Sequence, residues 1–418
     1  MWSAALVFCC GAVLMAARSD ASIAQAPEVV SAIQIHGNTA TPDEEIRKLA
    51  AIDLGMRVEP STIDDVAARL RATKRFKRVE VLKRFASIAD PTQILLVVLV
   101  DEGPVKVEMT GDPDRPTRVV RNRGPNLMVL PVLGFEDGYG FTYGVRLARL
   151  DVVGKQSRLS FPLTWGGEKK AGAELDKVIQ RGPIDRVTAG ASISRRTNPF
   201  YDEDDDRGRV WIRGEREIVR GIRFGAAAGW QRVSFFEADD RFTQAGADVV
   251  VDTRVDPIQP RNAVYARASW ERLSLGMNRT ELDARGYISV IGQSVLAVRA
   301  ERLDSSEPLP PYLKPLLGGM ANLRGFAAGA AAGDTLVATS AELIVPLTSP
   351  LSVGKIGVSA FVDAGTVYDK GARFSDQTLM QGYGGSLWFS AAFLRVNLAV
   401  AHGRGSSTRV HVGGNVSF

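Results

Sequence analysis

The chain has 418 residues, 45% hydrophobic and 24% charged, and its 52 Lys and Arg against 47 Asp and Glu leave a formal net charge of +5. That length suits two or three domains, and the scattered basic residues form no stripe of the kind nucleic acid needs, so no nucleic-acid partner is expected. Three histidines (His36, His402, His411) and two adjacent cysteines (Cys9, Cys10) cannot assemble a Cys/His metal site or a thiol–imidazole pair; with no Ser, His and Asp constellation either, no metal, cofactor or enzymatic activity is expected.

Ala4 to Ala17 is a near-continuous apolar run ended by Arg18, Ser19 and Asp20. About 14 residues is short for a spanning helix but suits the core of a signal peptide. Residues 1–24 are therefore expected to be a leader cut after Ala24. A cut after Ala26 is the second choice, because Pro27 would sit just beyond it. Cleavage removes both cysteines and so any disulfide. Past residue 26 no apolar run reaches the length of a membrane helix, so the exported chain is either soluble or crosses a membrane as strands.

Residues 29–103 read β-α-α-β-β. Val29 to His36 is a strand closed by Gly37-Asn38. Glu44 to Ala51 is a helix with acidic residues in its first turn, and Ser61 opens a second whose Ile63, Val66, Ala67 and Leu70 share one face. Phe76 to Phe85 alternates in polarity, and Ile94 to Val100 is an apolar strand before Asp101-Glu102-Gly103.

This segment resembles the POTRA domain, the periplasmic module of the Omp85 superfamily. The resemblance rests on Ile33-Gln34-Ile35-His36-Gly37-Asn38, the helix to Leu70, Phe76-Lys77-Arg78-Val79-Glu80-Val81 and Val98-Leu99-Val100-Asp101-Glu102-Gly103. It implies β-augmentation, in which an open sheet edge adds an extended segment of a client or of a periplasmic or lipoprotein partner. The other reading is a spacer that sets the distance between a barrel and its partners.

After a linker over residues 104–126, residues 127–418 become segments of alternating polarity divided by Gly, Pro, Asn and Asp, the pattern of a transmembrane β-barrel. At the C-terminus Val410, Val412, Gly414, Val416 and Phe418 alternate with Arg409, His411, Gly413, Asn415 and Ser417. Segment centres fall at Leu130, Val145, Leu159, Leu175, Ala189, Val210, Ala226, Val249, Ala266, Ala284, Val298, Ala341, Val358, Leu387, Leu398 and Val412, which gives 16 antiparallel strands. The even count returns both ends of the barrel to one side. The longest connection, Leu303 to Gly333, comes after the eleventh strand.

That connection holds Leu323-Arg324-Gly325-Phe326, which resembles the Arg-Gly-aromatic tip of the sixth loop in Omp85 proteins, folded back into the barrel. Ala341-Glu342-Leu343-Ile344-Val345-Pro346-Leu347 and Phe361-Val362-Asp363-Ala364-Gly365 come next in family order. The resemblance implies that Glu342, Phe361, Asp363 and Gly365 receive the loop. By alternation Glu342, Phe361 and Asp363 share the lumen side, where two carboxylates and an aromatic face suit an arginine. Gly325 lets the chain turn where a Cβ would collide. His411, Gly413, Val416 and Phe418 resemble the terminal β-signal of outer-membrane proteins, with Val416 where an aromatic is common.

The acidic run Asp202 to Asp206 is placed on a loop, either solvated or holding divalent cations at a lipopolysaccharide surface. The whole chain resembles the surface-antigen D15 and BamA/TamA group of Gram-negative outer membranes, embedded in lipid and lipopolysaccharide with one POTRA domain in the periplasm. The resemblance implies insertion or translocation of unfolded outer-membrane or secreted proteins, without nucleotide hydrolysis, through a seam between the first and last strands. The alternatives are a passive channel or structural barrel, a secretion pore for a soluble partner, and a soluble binding protein.

Overall fold

The computed structural model describes residues 27–36, 43–76, 78–86, 90–100, 105–108, 118–121, 127–254, 260–291, 293–348, 354–391 and 394–416. The expected leader, the Gly37-Asn38 turn, Asp101-Glu102-Gly103 and Phe418 lie outside them.

The N-terminal unit runs β1 (Val29–His36), α1 (Asp43–Ala50), α2 (Thr62–Ala72), β2 (Val79–Phe85) and β3 (Gln93–Val100). Strand β3 lies in the middle, parallel to β1 and antiparallel to β2. A central strand covered by helices must be strongly apolar, which explains its QILLVVLV sequence. Ile94, Leu96 and Val98 are wholly buried against Ile46 and Ala50 of α1 and Val66, Ala67 and Leu70 of α2. Acidic first turns and basic last turns on both helices complement the helix dipole. The outer edge of β1 is partly used: Val30 N–H donates to Met56 O and Val58 N–H to Glu28 O, both at 2.9 Å. The outer edge of β2 has no neighbouring strand among the described residues.

Within the stretch expected as a linker, β4 (Val105–Glu108) and β5 (Arg118–Arg121) pair as an antiparallel ribbon. Their valines favour extended backbone, a preference obscured in the sequence by the charged residues and prolines around them.

Then come β6 (Leu127–Glu136), β7 (Gly140–Leu150), β8 (Ser157–Gly166), β9 (Lys169–Val178), β10 (Arg186–Asn198), β11 (Glu203–Val219), β12 (Ile222–Phe235), β13 (Ala238–Asp252), β14 (Ala263–Leu273), β15 (Asn278–Ser289) and β16 (Val295–Ser305). The connection after β16 carries the short pair β17 (Leu316–Leu317) and β18 (Ala331–Ala332). Strands β19 (Thr335–Thr348), β20 (Gly354–Tyr368), β21 (Met380–Ala391), β22 (Leu394–Gly403) and β23 (Thr408–Val416) complete a closed antiparallel barrel of 16 strands. Every expected centre falls in its own strand.

The period of two sorts side chains by face. Val264, Trp270, Leu398, Val400 and Val410 are exposed on the outside, with Phe141, Tyr143, Trp165 and Trp230. The inside carries paired charges: Arg146 with Glu174 at 2.6 Å, Arg213 with Asp248 at 2.5 Å and Arg285 with Asp283 at 3.0 Å. An apolar exterior around a charged interior inverts a soluble protein and is the arrangement lipid demands. Both ends of the barrel chain lie at one rim, the near rim. There the Arg261 guanidinium, just before β14, stacks on Phe85 of β2, 4.6 Å from the ring centroid.

At the far rim β10 to β13 run 13 to 17 residues, beyond the roughly 9–11 that cross a bilayer. Val233, Phe235, Phe242 and Leu273 form an apolar cap there with Leu309, Tyr312 and Leu313 of the long connection. The acidic run expected on a loop instead lies mostly on β11, which starts at Glu203. Its carboxylates are held by neighbours, Asp206 by Arg195 at 2.5 Å, Asp205 by Arg207 at 2.6 Å and Asp204 by Thr197 at 2.9 Å, so pairing across β10 and β11 extends the ladder that far.

Leu70 plugs the N-terminal core with no exposure. Leu70→Ala is expected to destabilise that unit by about 2–5 kcal/mol, seen in the whole protein as faster proteolysis before residue 100 with the heat-modifiable migration of the barrel unchanged.

Candidate functional site

The connection between β16 and β19 enters the barrel rather than covering it. Tyr312 OH donates to Asp240 at 2.5 Å and Arg207 donates to Tyr312 O at 2.7 Å, anchoring its first part to the far-rim wall. Between β17 and β18 it turns tightly, with Gly319 N–H donating to Phe326 O at 3.1 Å. Leu323, Arg324, Gly325 and Phe326 are all buried at this tip.

A guanidinium withdrawn from water is tolerated only where its donors are met. Arg324 Nε and Nη2 each donate to Asp363 at 2.8 Å, Nη1 donates to Glu342 at 2.8 Å and Nη2 also donates to Ser340 Oγ at 3.1 Å. Its backbone N–H adds a bond of 3.0 Å to Asp363. The guanidinium carbon stands 3.4 Å from the centroid of the Phe361 ring, so one face is stacked while the edge is bonded. The acceptors are themselves held: Ser340 Oγ donates to Asp363 at 2.7 Å and Ser359 Oγ to Glu342 at 2.5 Å. This geometry comes from one register, because Ser340 faces Asp363 and Glu342 faces Phe361 across β19 and β20.

Close approach depends on glycines. A Cβ on Gly382 would lie 1.8 Å from Arg324 O, and one on Gly403 would lie 2.7 Å from the Phe326 ring. These residues are register partners on β21 and β22, a bare floor on which the tip rests. Gly325 has φ +94°, and a Cβ there would come within 2.6 Å of Gly403 N. Gly365 makes room for Leu317 of the same loop, whose Cδ1 would lie 2.9 Å from an added Cβ.

The residues expected as a terminal signal divide. Gly413 faces Met320 of the loop, and Val416 pairs with Leu133 and Leu394. His411 is 2% exposed and reaches the loop: Gly325 N–H donates to its Nε2 at 3.0 Å, and its Nδ1 lies 2.6 Å from Asp137 Oδ2 in the β6–β7 turn. Met320 N–H donates to the same oxygen at 3.1 Å. Burial alone would push the Asp137 carboxyl up, but His411, the Met320 amide and Arg409 together hold it below its ordinary range. Asp137, Ser340, Gly382 and Gly403, with Leu317 and Met320 of the loop, take part although the sequence did not single them out.

Between β23 and β6 the ladder is short. Among the described residues only Gly414, Asn415 and Val416 pair with Phe135, Gly134 and Leu133, whereas the other barrel junctions run over six to fourteen residue pairs. A lumen cavity of about 720 Å³ is bounded on one side by this seam, at Gly134, Phe135 and Gly414, and on another by Arg324, Glu342 and Asp363.

Two substitutions separate the roles at the tip. Arg324→Ala leaves two carboxylates facing each other without their cation and is expected to destabilise the docked loop by about 3–5 kcal/mol, read as protease access to residues 318–330 and a lower temperature of heat-modifiable unfolding. Gly382→Val, which keeps every charge, is expected to release the loop as fully by displacing Arg324 O; a protected loop in that variant would show that the glycine floor is dispensable.

The family model described as the Omp85 superfamily domain matches residues 153–412, and a POTRA model described as surface antigen variable number repeat matches residues 28–103. No functionally curated protein matches the chain in sequence. Among solved structures, BamA from Haemophilus ducreyi lacking POTRA domains 1–3 is similar at 14% identity and TM-score 0.59, over 93% of this chain and 84% of that one. CdiB from Escherichia coli is similar at 12% identity and TM-score 0.54, over 96% of this chain and 92% of that one. CdiB from Acinetobacter baumannii gives 12% identity and TM-score 0.50, over 94% and 74%. With its repeat unit, its sixteen-stranded barrel and a matched region longer than half its length, the chain belongs to the Omp85 superfamily.

Proposed function

We propose that this outer-membrane barrel inserts or translocates other proteins, with its N-terminal domain in the periplasm and its far rim at the cell surface. The observation that carries this reading is the seam. Each net backbone hydrogen bond stabilises by about 0.5–1.5 kcal/mol, so the junction joined over three residue pairs among the described residues separates at less cost than the longer ones. Separation would expose the edges of β6 and β23 toward lipid. Unpaired backbone groups in a bilayer must find partners, and an incoming strand supplies them whatever its side chains. Pro131 on β6 belongs at such an edge, where a missing N–H is tolerated.

Work of this kind needs neither nucleotide nor enzymatic chemistry, because the client's own folding provides the free energy. The β2 edge of the N-terminal domain offers a first docking place for an extended client or a periplasmic partner. A secretion pore for a soluble partner is the second reading, favoured by the cavity beside the loop, and it requires the tip to leave the lumen.

Depletion of the protein from its own cell, with quantitative profiling of the outer membrane, tests the choice. Several-fold loss of other barrels, restored by the wild-type chain, is expected for an insertion factor. An unchanged set of barrels would overturn that reading in favour of a channel or secretion pore.

A further inference from the structure

We propose that His411 is the positioning residue that couples docking of the loop tip to closure of the far end of the seam. The inference rests on the proposed opening of the seam and adds its control. The ladder between β23 and β6 ends at Gly414 and Phe135. Three residues farther toward the far rim, β23 meets the β6–β7 turn through side chains, His411 on one side of the seam and Asp137 on the other.

The chemistry of the ring fixes its two roles. A backbone amide can only donate, so His411 Nε2 accepts from Gly325, and the ring proton sits on Nδ1, pointed at Asp137 Oδ2. One buried imidazole thus spends both nitrogens on different bodies, the loop tip and the opposite side of the seam. Asp137 repeats the pattern, since the oxygen that receives His411 also accepts from Met320 of the loop. Withdrawing the loop removes both amide donors at once. Parting the seam at Asp137 removes the group that orients the ring toward Gly325. Each movement therefore weakens the contact that opposes the other, and the coupling is reciprocal.

Two substitutions split the ring. Asparagine at this position keeps an amide donor near Nδ1 and loses reach to the loop, whereas glutamine keeps an acceptor near Nε2 and loses the bond to Asp137. The seam is read by the rate of disulfide formation between Phe135→Cys and Gly414→Cys, in full-length protein with Cys9 and Cys10 replaced by serine, reconstituted in lipid. Arg324→Ala is expected to slow that rate about tenfold or more, as loss of a charge-assisted bond should. His411→Asn and His411→Gln are each expected to slow it comparably, and Arg324→Ala added to either should slow it no further.

Wild-type rates in both His411 variants, or effects of Arg324→Ala and His411→Gln that multiply, would overturn the coupling. Heat-modifiable migration checks folding. Should a His411 variant fail to fold, Asp137→Asn, which removes a charge and little volume, serves in its place with the same expectation. The depletion experiment reports separately: coupling without client loss defeats the insertion reading alone, and client loss without coupling defeats this inference alone.

Discussion

A buried guanidinium is the constraint around which this barrel is arranged. Arg324 is 7% exposed and Asp363 is 1% exposed, and a cation so far from water persists only when its partners are complete. Completeness here is a property of register. Ser340, Glu342, Phe361 and Asp363 all point inward on one antiparallel pair, so a slip of one residue between β19 and β20 would turn partners toward lipid. The ion cluster therefore specifies the ladder as much as the ladder presents the cluster.

The docked tip also dictates where side chains are missing. Gly382 and Gly403 sit opposite each other on β21 and β22, and the loop backbone lies on them at a distance no Cβ permits. Glycine weakens a strand by its conformational freedom and its lack of packing. That cost is offset here because the loop supplies the packing, with Leu323 wholly buried against the wall it helps to build. The wall and the loop are thus mutually dependent.

The seam is the complement of this order. Most junctions of the barrel are long and regular, whereas among the described residues closure between the last and first strands rests on a short ladder and on His411 of β23 and Asp137 of the β6–β7 turn, both bonded to backbone amides of the loop. The proposed opening at this edge would leave the remaining ladders with their bonds. Membership of the Omp85 superfamily gives this asymmetry a setting, and the loop's contact with it suggests where control would be applied.

The sequence by itself determined the two-part architecture, the sixteen strands and the sides of their residues, because these depend on local periodicity and on turn chemistry within a few positions. Alternation put Glu342, Phe361 and Asp363 on one side of the wall, and the resemblance to Omp85 proteins implied that Arg324 meets them. Tertiary structure alone decided the rest. His411 and Asp137 lie 274 positions apart and meet only because the barrel closes with one particular offset. Gly382 and Gly403 are ordinary strand glycines until a loop rests on them. Which loop residue Gly365 meets, Leu317, and the pairing of the β4–β5 ribbon are likewise set by the path of the chain. The physical reason is the same in each case: alternation tells which face a residue occupies, whereas closure offset and loop path decide which distant residue it finds there.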